Sequence, residues 1–355
     1  MTEIFPSYYG DFHCTASHCS DNCCIGWEID IDPDTLSLYK KADTNKEMKI
    51  MEHIDTSGDE PHFILRDDGR CPFLDEHNLC DIYRTLGEQA LCRICSLHPR
   101  FINTYGDVTE YGLDLCCEEA ARIILSQQTF CTYKQGKITK TLETASPSEA
   151  SSAFFHALNI CRNKIFTFIS SGIYELEPLM ESLLEYGELL DDRVFDENYL
   201  EMERTDIPAP DAKYPILMWD ENILAKCIAF LRSLTPLSVN WHNFLADAAR
   251  DLKHILPLRE SFLQAYPAFH KEAGHLLHHY IYHYFLSAVW EDEVFSKIFF
   301  AVFIVRMTEL FDTAFYYYHK SFSLQDQIFI CSQLSKEIEY CSENLEKVLD
   351  FAYNC

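Results

Sequence analysis

Four cysteines fall within eleven residues in Cys14-Thr-Ala-Ser-His-Cys19-Ser-Asp-Asn-Cys23-Cys24, beside Gly26 and Trp27. Six more follow at Cys71, Cys80, Cys92, Cys95, Cys116 and Cys117, so ten of the 16 cysteines crowd the first third of the chain. Zinc and iron–sulfur sites both need deprotonated thiolates held close together. The spacings Cys19-x3-Cys23-Cys24, Cys71-x8-Cys80 and Cys92-x2-Cys95 supply pairs that a fold can bring together. They match neither the double CxxC of zinc ribbons, nor the ferredoxin run, nor the CxxxCxxC loop of radical enzymes. The spacing therefore predicts a soft-metal site and leaves the ion open. Cys131, Cys161, Cys227, Cys331, Cys341 and Cys355 are scattered. Buried structural cysteine is the ordinary fate of a lone thiol, and that is their reading.

A second chemistry-bearing stretch is Glu272-Ala-Gly-His275-Leu-Leu-His278-His279-Tyr280-Ile-Tyr282-His283-Tyr284-Phe285. His275, His279 and His283 recur at i, i+4, i+8 and share one helix face. His279, Tyr282 and His283 are the candidate catalytic residues, because imidazole and phenol can move a proton. The competing reading is a half-buried aromatic helix packed on its neighbours. No carboxylate joins the three histidines at helical spacing to complete a metal site. Tyr316-Tyr-Tyr-His319 reads as core or interface before substrate wall. Trp27 is expected to pack over the metal site. Glu28, Asp30 and Asp32 are expected on a solvated strand face that could also receive a basic substrate.

These residues need elements to hold them. Residues 1–13 read as an extended lead-in, and Trp27 to Asp32 alternates like a short strand. Asp32-Pro33-Asp34 starts a helix over Thr35 to Met51. Asp55 to Glu60 is a polar loop, and Phe63 to Arg66 a strand before the Asp67–Arg70 turn. Cys71 to Cys80 predicts a hairpin with Glu76-His77-Asn78 at its tip and its end cysteines side by side. A helix begins at Asp81. A second hairpin turns at Tyr105-Gly106-Asp107, and Cys116-Cys117 opens a helix with Glu118 and Glu119 in its first turn. Residues 131–150 are polar. Beyond them, apolar residues at helical spacing mark 149–170, 174–191, 213–234, 241–253, 258–289, 293–319 and 324–352, with a three-proline break between Arg204 and Pro215. The fold class is mainly α: an N-terminal cysteine-cluster module with short strands and hairpins (1–130), a connecting segment (131–152) and an α-helical domain (153–355).

Composition narrows the partners. With 48% hydrophobic residues the chain can bury a sizeable core, and its net charge of −27 repels phosphate backbones. Nucleic acid and anionic membrane are poor partners; a basic protein segment is a good one. The longest apolar run, Ile298 to Val305, stops at Arg306, well short of the roughly twenty residues a bilayer needs. No basic and then apolar leader occupies residues 1–12. A soluble, cytoplasmic protein is expected, where thiols stay reduced and serve metals or redox chemistry rather than a disulfide framework.

The pattern Phe12-His-Cys14-x4-Cys19-x3-Cys23-Cys24-x-Gly26-Trp27, then Asp30-x-Asp32, resembles the start of the flagellin lysine-N-methylase family. Cys71-Pro-Phe-Leu, Asn78-Leu-Cys80-x-Ile-Tyr83 and Leu91-Cys92-x2-Cys95-x3-Pro99-Arg100 are similar to its next motifs, and to the broader CxxxCC proteins that chelate iron or zinc. Tyr111 to Arg122 resembles the closing motif, Ser-Cys-Pro-Glu-Ala-Ala-Arg, with Cys116 at the Ser position and Glu118 at the Pro position. Cys117 is thereby the ligand and Cys116 a bystander. The resemblance covers about residues 12–125. It implies methyl transfer from S-adenosylmethionine to flagellin lysines and an iron–sulfur cluster, 4Fe-4S with zinc as the alternative. The ligands would be a subset of Cys14, Cys19, Cys23, Cys24, Cys71, Cys80, Cys92, Cys95 and Cys117. The residues themselves show no methyltransferase signature: a Gly-rich loop after a first strand is absent. A non-enzymatic chelating or partner-docking module stays open, as does a thiol redox protein.

Overall fold

The computed structural model describes residues 2–26, 29–43, 49–58, 60–137, 152–210 and 214–353. The fold is mainly α, with the short strands, among the described residues, confined to the stretch that ends at Gly136. Trp27, Glu28, Cys355 and the middle of the expected connecting segment lie outside the described residues.

The N-terminal third contains β1 (Thr2–Pro6), α1 (Pro33–Asp43), β2 (Ile54–Asp55), β3 (His62–Phe63), α2 (Asp81–Leu86), α3 (Arg93–Leu97), β4 (Arg100–Tyr105), β5 (Val108–Leu113), α4 (Glu118–Leu125) and β6 (Tyr133–Gly136). Four strands form one sheet in the order β4-β5-β1-β6. β1 runs parallel to β5, while β4 pairs antiparallel with β5 and β6 antiparallel with β1. The expected lead-in is thus an inner strand, and part of the expected connection is an edge strand. Their partners lie about a hundred residues away, so no local pattern announces either pairing. The hairpin at Gly106-Asp107 forms as predicted; Gly106 has φ +58, which a two-residue turn needs at its first position. The strand expected from Trp27 to Asp32 reduces, among described residues, to a bridge between Asp30 and His62.

Residues 29–95 fold around a small core of their own, built on Ile29, Ile31, Tyr39, Phe63, Phe73, Leu74 and Ile82. Asp32 organises its edge. Its carboxylate accepts from Thr35 N and Thr35 Oγ1 (both 2.9 Å) at the start of α1, and from Arg93 N (2.8 Å) at the start of α3. Burial works against that charge, but the amide hydrogen bonds win and hold its pKa low. The 71–80 hairpin also forms: Leu74 bridges Cys80, and Asp75 Oδ1 takes the amides of His77 and Leu79 at the tip.

The helical part comprises α5 (Ser152–Ser170), α6 (Leu176–Phe195), α7 (Tyr199–Arg204), α8 (Glu221–Ser233), α9 (Val239–Ile255), α10 (Arg259–Ala265), α11 (Phe269–Tyr284), α12 (Ala288–Glu291), α13 (Val294–His319), α14 (Leu324–Glu339) and α15 (Ser342–Phe351). The segment read as 258–289 breaks near Tyr266-Pro267, where proline cannot extend the preceding helix. The segment read as 324–352 breaks at Tyr340-Cys341. α13 is the central rod, buried on all sides from Val294 to Ala314. Arg306 Nη1 meets Glu309 Oε2 at 2.6 Å, and Arg259 Nε of α10 meets Glu309 Oε1 at 2.7 Å. Among the described residues no helix is long and apolar enough to cross a membrane.

Sheet and helices share one core, and polar groups fix the seam between them. Arg162 of α5 grips Glu110 of β5 through two bonds of 2.8 and 2.5 Å, both side chains buried. The Tyr282 hydroxyl of α11 donates to Tyr111 O (3.1 Å) and Ile4 O (3.3 Å), so one phenol spans two strands. Removing one partner of a buried pair strands the other charge, at a cost of about 3–5 kcal/mol. Arg162→Ala is therefore expected to lower stability by about that amount, read as a lower chemical-denaturation midpoint. A midpoint equal to wild type would contradict the role given to the pair.

Candidate metal centre

The cysteines of the first third converge from several separate segments. Cys24, Cys71, Cys80, Cys92 and Cys95 all belong to the small N-terminal core or pack against it. Cys24 O accepts from Cys71 N at 2.8 Å, which sets the first cysteine loop beside the 71–80 hairpin. Cys80 caps α2, its sulfur facing Tyr83 N at 3.5 Å. Cys92 caps α3, and Cys95 one turn later shares a hydrogen bond with it. The thiols feel one another's charge: Cys24 that of Cys71 and Cys80, Cys71 that of Cys80 and Cys92, Cys95 that of Cys24 and Cys71.

A second set lies on the other side of the Cys23–Cys24 peptide. Cys19 senses Cys14 and Cys23, and Cys117, which caps α4, senses Cys23 and Cys19. Thr15 Oγ1 lies 2.9 Å from Cys19 Sγ, and Ala16 N donates to Cys14 Sγ at 3.4 Å. Glu118 ties this loop to α4, accepting from Ser20 N (2.9 Å), Asp21 N (3.2 Å) and the Ser20 hydroxyl.

Burial pushes the Cys71 thiol up to about 11 and Cys117 up to about 12, and raises Cys19 and Cys80. A hydrogen bond from Cys24 drives Cys23 well below the usual thiol value, against burial, with His98 and Lys336 adding to it. Buried thiols without a cation keep their protons; a soft cation displaces them, since coordination deprotonates a thiol outright. The donors are thiols, as a soft ion requires, with Cys71 and Cys92 buried and Cys14 exposed, and among the described residues no three of their sulfurs lie within 4.8 Å of one another. Cys116 turns elsewhere, its sulfur 2.8 Å from Tyr340 Oη. Tyr340 Oη in turn lies 2.6 Å from His98 Nδ1, so Cys116 and Tyr340 connect to Cys23 through His98. Cys161, Cys227 and Cys331 are buried in the helical core, remote in this sense from both sets.

The histidine face of α11 is buried from Phe269 to Tyr282. His275 Nε2 lies 3.0 Å from Gln127 O, and His278 Nδ1 lies 3.0 Å from the Tyr133 hydroxyl. His278 and His279 are pushed down to about 3 by burial, so both stay neutral. A cavity with room for about one water sits among Tyr8, Gln127, Cys131, His275, His278 and His279. His283 differs. Its ring stacks on Phe101 of β4 at 3.6 Å, and across the ladder a Cβ on Gly112 of β5 would fall 2.0 Å from the same Phe101 ring. Asp114 and Glu339 approach it from the turn before α4 and the end of α14. Sequence reading missed both carboxylates, because they join the helix face through tertiary contacts.

The end of α14 touches four neighbours. Gln333 Nε2 donates to Asp21 at 2.6 Å, with Lys336 Nζ 3.4 Å from the same carboxylate. Glu337 caps α9, taking Leu237 N (3.0 Å) and Ser238 N (3.1 Å). Glu339 accepts from the hydroxyls of Tyr280 (3.2 Å) and Tyr284 (2.7 Å), and Tyr340 reaches Cys116 and His98. His98, in Cys95-x2-His98-Pro99, was legible as an extension of the CxxC spacing and was passed over.

A separate cleft of about 500 Å³ opens between α6, α13 and the residues after α15, lined by Glu188, Asp191, Tyr214, Phe295, Phe299 and Tyr353 among others. Burial raises Asp191 to about 6 against the amides of Val294 and Phe295 that it caps.

Comparison with known proteins bears on this arrangement. Residues 155–354 match the family described as "FliB lysine N-methylase C-terminal domain", more than half of the chain. This chain belongs to the FliB lysine N-methylase family. Residues 13–131 of this FliB-family chain match the "Putative zinc- or iron-chelating domain" family, which holds every cysteine of both sulfur sets. The "Lysine-N-methylase" proteins of Salmonella typhimurium and Salmonella choleraesuis are each 33% identical over 152 residues, 41% of this chain and 38% of theirs. The "Flagellar biosynthetic protein FliU" of Salmonella muenchen is 35% identical over 132 residues, 36% of this chain and 78% of that protein. The match thus spans well under half the length of the curated methylases. No solved structure matches the chain.

The buried face of α11 also gives a pH signature. Burial raises Glu272 to about 7, against the hydrogen bond from Tyr266 and the charge of Lys271. A carboxyl whose folded pKa lies above its unfolded value contributes stability below the unfolded pKa and loses it as pH rises through the folded one. Glu272→Gln removes that loss. Relative to wild type, the variant is expected to gain stability from about pH 4.5 to 7 and to level off above, in denaturation series across pH. A difference that shrinks with rising pH would reverse the assignment.

Proposed function

We propose that this protein is a protein-lysine N-methyltransferase that takes its methyl group from S-adenosylmethionine, acts on flagellin and carries a thiolate-held iron–sulfur cluster. The observation that carries the reading is the pairing, in one chain, of the FliB C-terminal domain match with a zinc- or iron-chelating domain match that holds nine of the candidate cysteines. The relatives' names, lysine methylase and flagellar biosynthetic protein, support the reaction and the flagellar substrate.

The cluster would be held by sulfurs drawn from Cys24, Cys71, Cys80, Cys92 and Cys95, with Cys14, Cys19, Cys23 and Cys117 as the adjoining set. Bound there, an iron–sulfur cluster supplies a charged cross-link between the first loop, the hairpin and α3, and a centre able to exchange an electron. The chain's own residues do the rest. A lysine must lose its proton, align with the sulfonium methyl and be shielded from water. The cleft at Glu188 and Asp191 offers carboxylates for a cationic sulfonium or ammonium, and the faces of Tyr214, Phe295, Phe299 and Tyr353 for cation–π contact and stacking. Its volume suits a ligand of that size. The net charge of −27 favours a lysine-bearing partner.

The test is direct. Purified protein is incubated with labelled S-adenosylmethionine and monomeric flagellin. Label in flagellin lysines is expected; its absence would leave the chelating-module reading, which the 13–131 match favours on its own. Asp192→Asn, at the rim of the cleft, is expected to raise KM for the methyl donor several-fold with a smaller change in kcat. Unchanged KM would move the donor site elsewhere. Cys80→Ser is expected to lose iron and sulfide and to loosen the N-terminal core, because thiolate sites couple metal to folding. Cys331→Ser should keep both. Full metal content in Cys80→Ser would refute the ligand set.

A further inference from the structure

Among the described residues, one group of side chains has its ligand atoms close enough to share an ion. His283 Nδ1 lies 3.6 Å from Asp114 Oδ1 and 3.7 Å from Glu339 Oε2, and the three ligand atoms all fall within 4.8 Å of one another. The residues come from three places: the turn between β5 and α4, the last turn of α11 and the end of α14. All three side chains are largely buried, Glu339 at 6% exposed and His283 at 11%.

The geometry leaves specific atoms unused. His283 Nδ1 and Asp114 Oδ1 are buried and have no hydrogen-bond partner. Orphaned polar atoms of this kind are costly and call for an occupant. No lysine or arginine among the described residues pairs with Asp114 or Glu339. Burial, then the charge of Glu339, raises Asp114; burial likewise raises Glu339 and keeps His283 neutral. The cluster therefore holds two carboxyls and a neutral imidazole with no cation of its own. The surroundings are ordered for a fixed ligand. Tyr284 and Tyr280 donate to the two oxygens of Glu339, and Phe101 and Tyr284 sandwich the His283 ring at 3.6 and 4.0 Å. Such outer hydrogen bonds and packing orient metal ligands.

We propose that Asp114, His283 and Glu339 form a binding site for one divalent transition-metal ion, separate from the cysteine sets. One nitrogen and two carboxylate donors suit Mn2+, Fe2+ or Zn2+ rather than a soft ion such as Cu+ that needs thiolates. Ligands at about 2.1 Å from a tetrahedral ion stand about 3.4 Å apart, so the two imidazole–carboxylate spacings need to close by only a few tenths of an ångström and the carboxylate–carboxylate spacing, within 4.8 Å, by at most about 1.4 Å. Three protein ligands leave a coordination position for solvent, the arrangement of catalytic rather than structural zinc. Binding would release the protons that the carboxyls carry without it.

The experiment uses the full chain with its thiol-bound metal in place. Mn2+ is titrated and free Mn2+ followed by electron paramagnetic resonance, because Mn2+ prefers oxygen and nitrogen over thiolate. A parallel Zn2+ titration is read only as the difference between wild type and variants. One equivalent is expected in wild type, weakened at least ~10-fold in Asp114→Asn and in Glu339→Gln, with iron and sulfide content unchanged in both. A thermal shift with Mn2+ should appear in wild type and vanish in the same variants. If either variant fails to fold, Tyr284→Phe replaces it; loss of its bond to Glu339 should weaken binding while leaving all three ligands. Failure of both ions to distinguish wild type from the variants would overturn the proposal, as would a Mn2+ affinity in Tyr284→Phe equal to that in wild type. Because no step depends on methyl transfer, failure here is distinct from failure of the proposed activity.

Discussion

The arrangement depends on how the four-stranded sheet is fixed to α11. Buried strand carbonyls with acceptor capacity left over must find donors, and the Tyr282 hydroxyl meets two of them, from β1 and β5. The Arg162–Glu110 pair adds a charged tie from α5 to the same strand. With β5 held, the turn that follows it is held too. That turn carries Asp114, Cys116 and Cys117, so one seam sets the position of a carboxylate, the thiol that meets Tyr340 and the thiol beside Cys19 and Cys23 relative to the helices. Tyr282 stood among the catalytic candidates from sequence; its hydroxyl is engaged with backbone in this fold, while its neighbour His283 meets the carboxylates.

Much of this was legible in the residues. Cysteine crowding, the two hairpins and the long helical segments follow from composition, turn residues and 3.6-residue periodicity. The hidden parts share a cause: each depends on partners far along the chain. β1 is five residues with nothing local to mark it as an inner strand, and its neighbour β5 begins at Val108. Asp114 and Glu339 are separated by most of the protein, and an acidic residue among 56 carries no signal until the fold places it beside an imidazole. Asp30 and Asp32 looked like a solvated face because alternation reports exposure, not capping. Asp32 in fact joins the starts of two helices.

The sulfurs divide around adjacent residues. Cys23 and Cys24 share a hydrogen bond, yet Cys24 faces the small core whereas Cys23 faces His98, Lys336 and Cys117. The two sets are therefore held a single peptide apart, about 3.8 Å between α-carbons. The hydrogen bond between Cys23 and Cys24 links the two sides, so a change of charge on one is felt on the other.

The end of α14 has a mechanical consequence. A helix turns about 100° with each residue, so Lys336, Glu339 and Tyr340 line one face while Glu337 points away from it. Each is fastened to a different body: the first cysteine loop, the cap of α9, the tyrosines of α11, and the Cys116–His98 pair. The rod is keyed like a shaft in a slot. It can neither roll nor slip by one position without releasing all four fastenings together, so these regions should loosen as one cooperative unit rather than piecemeal.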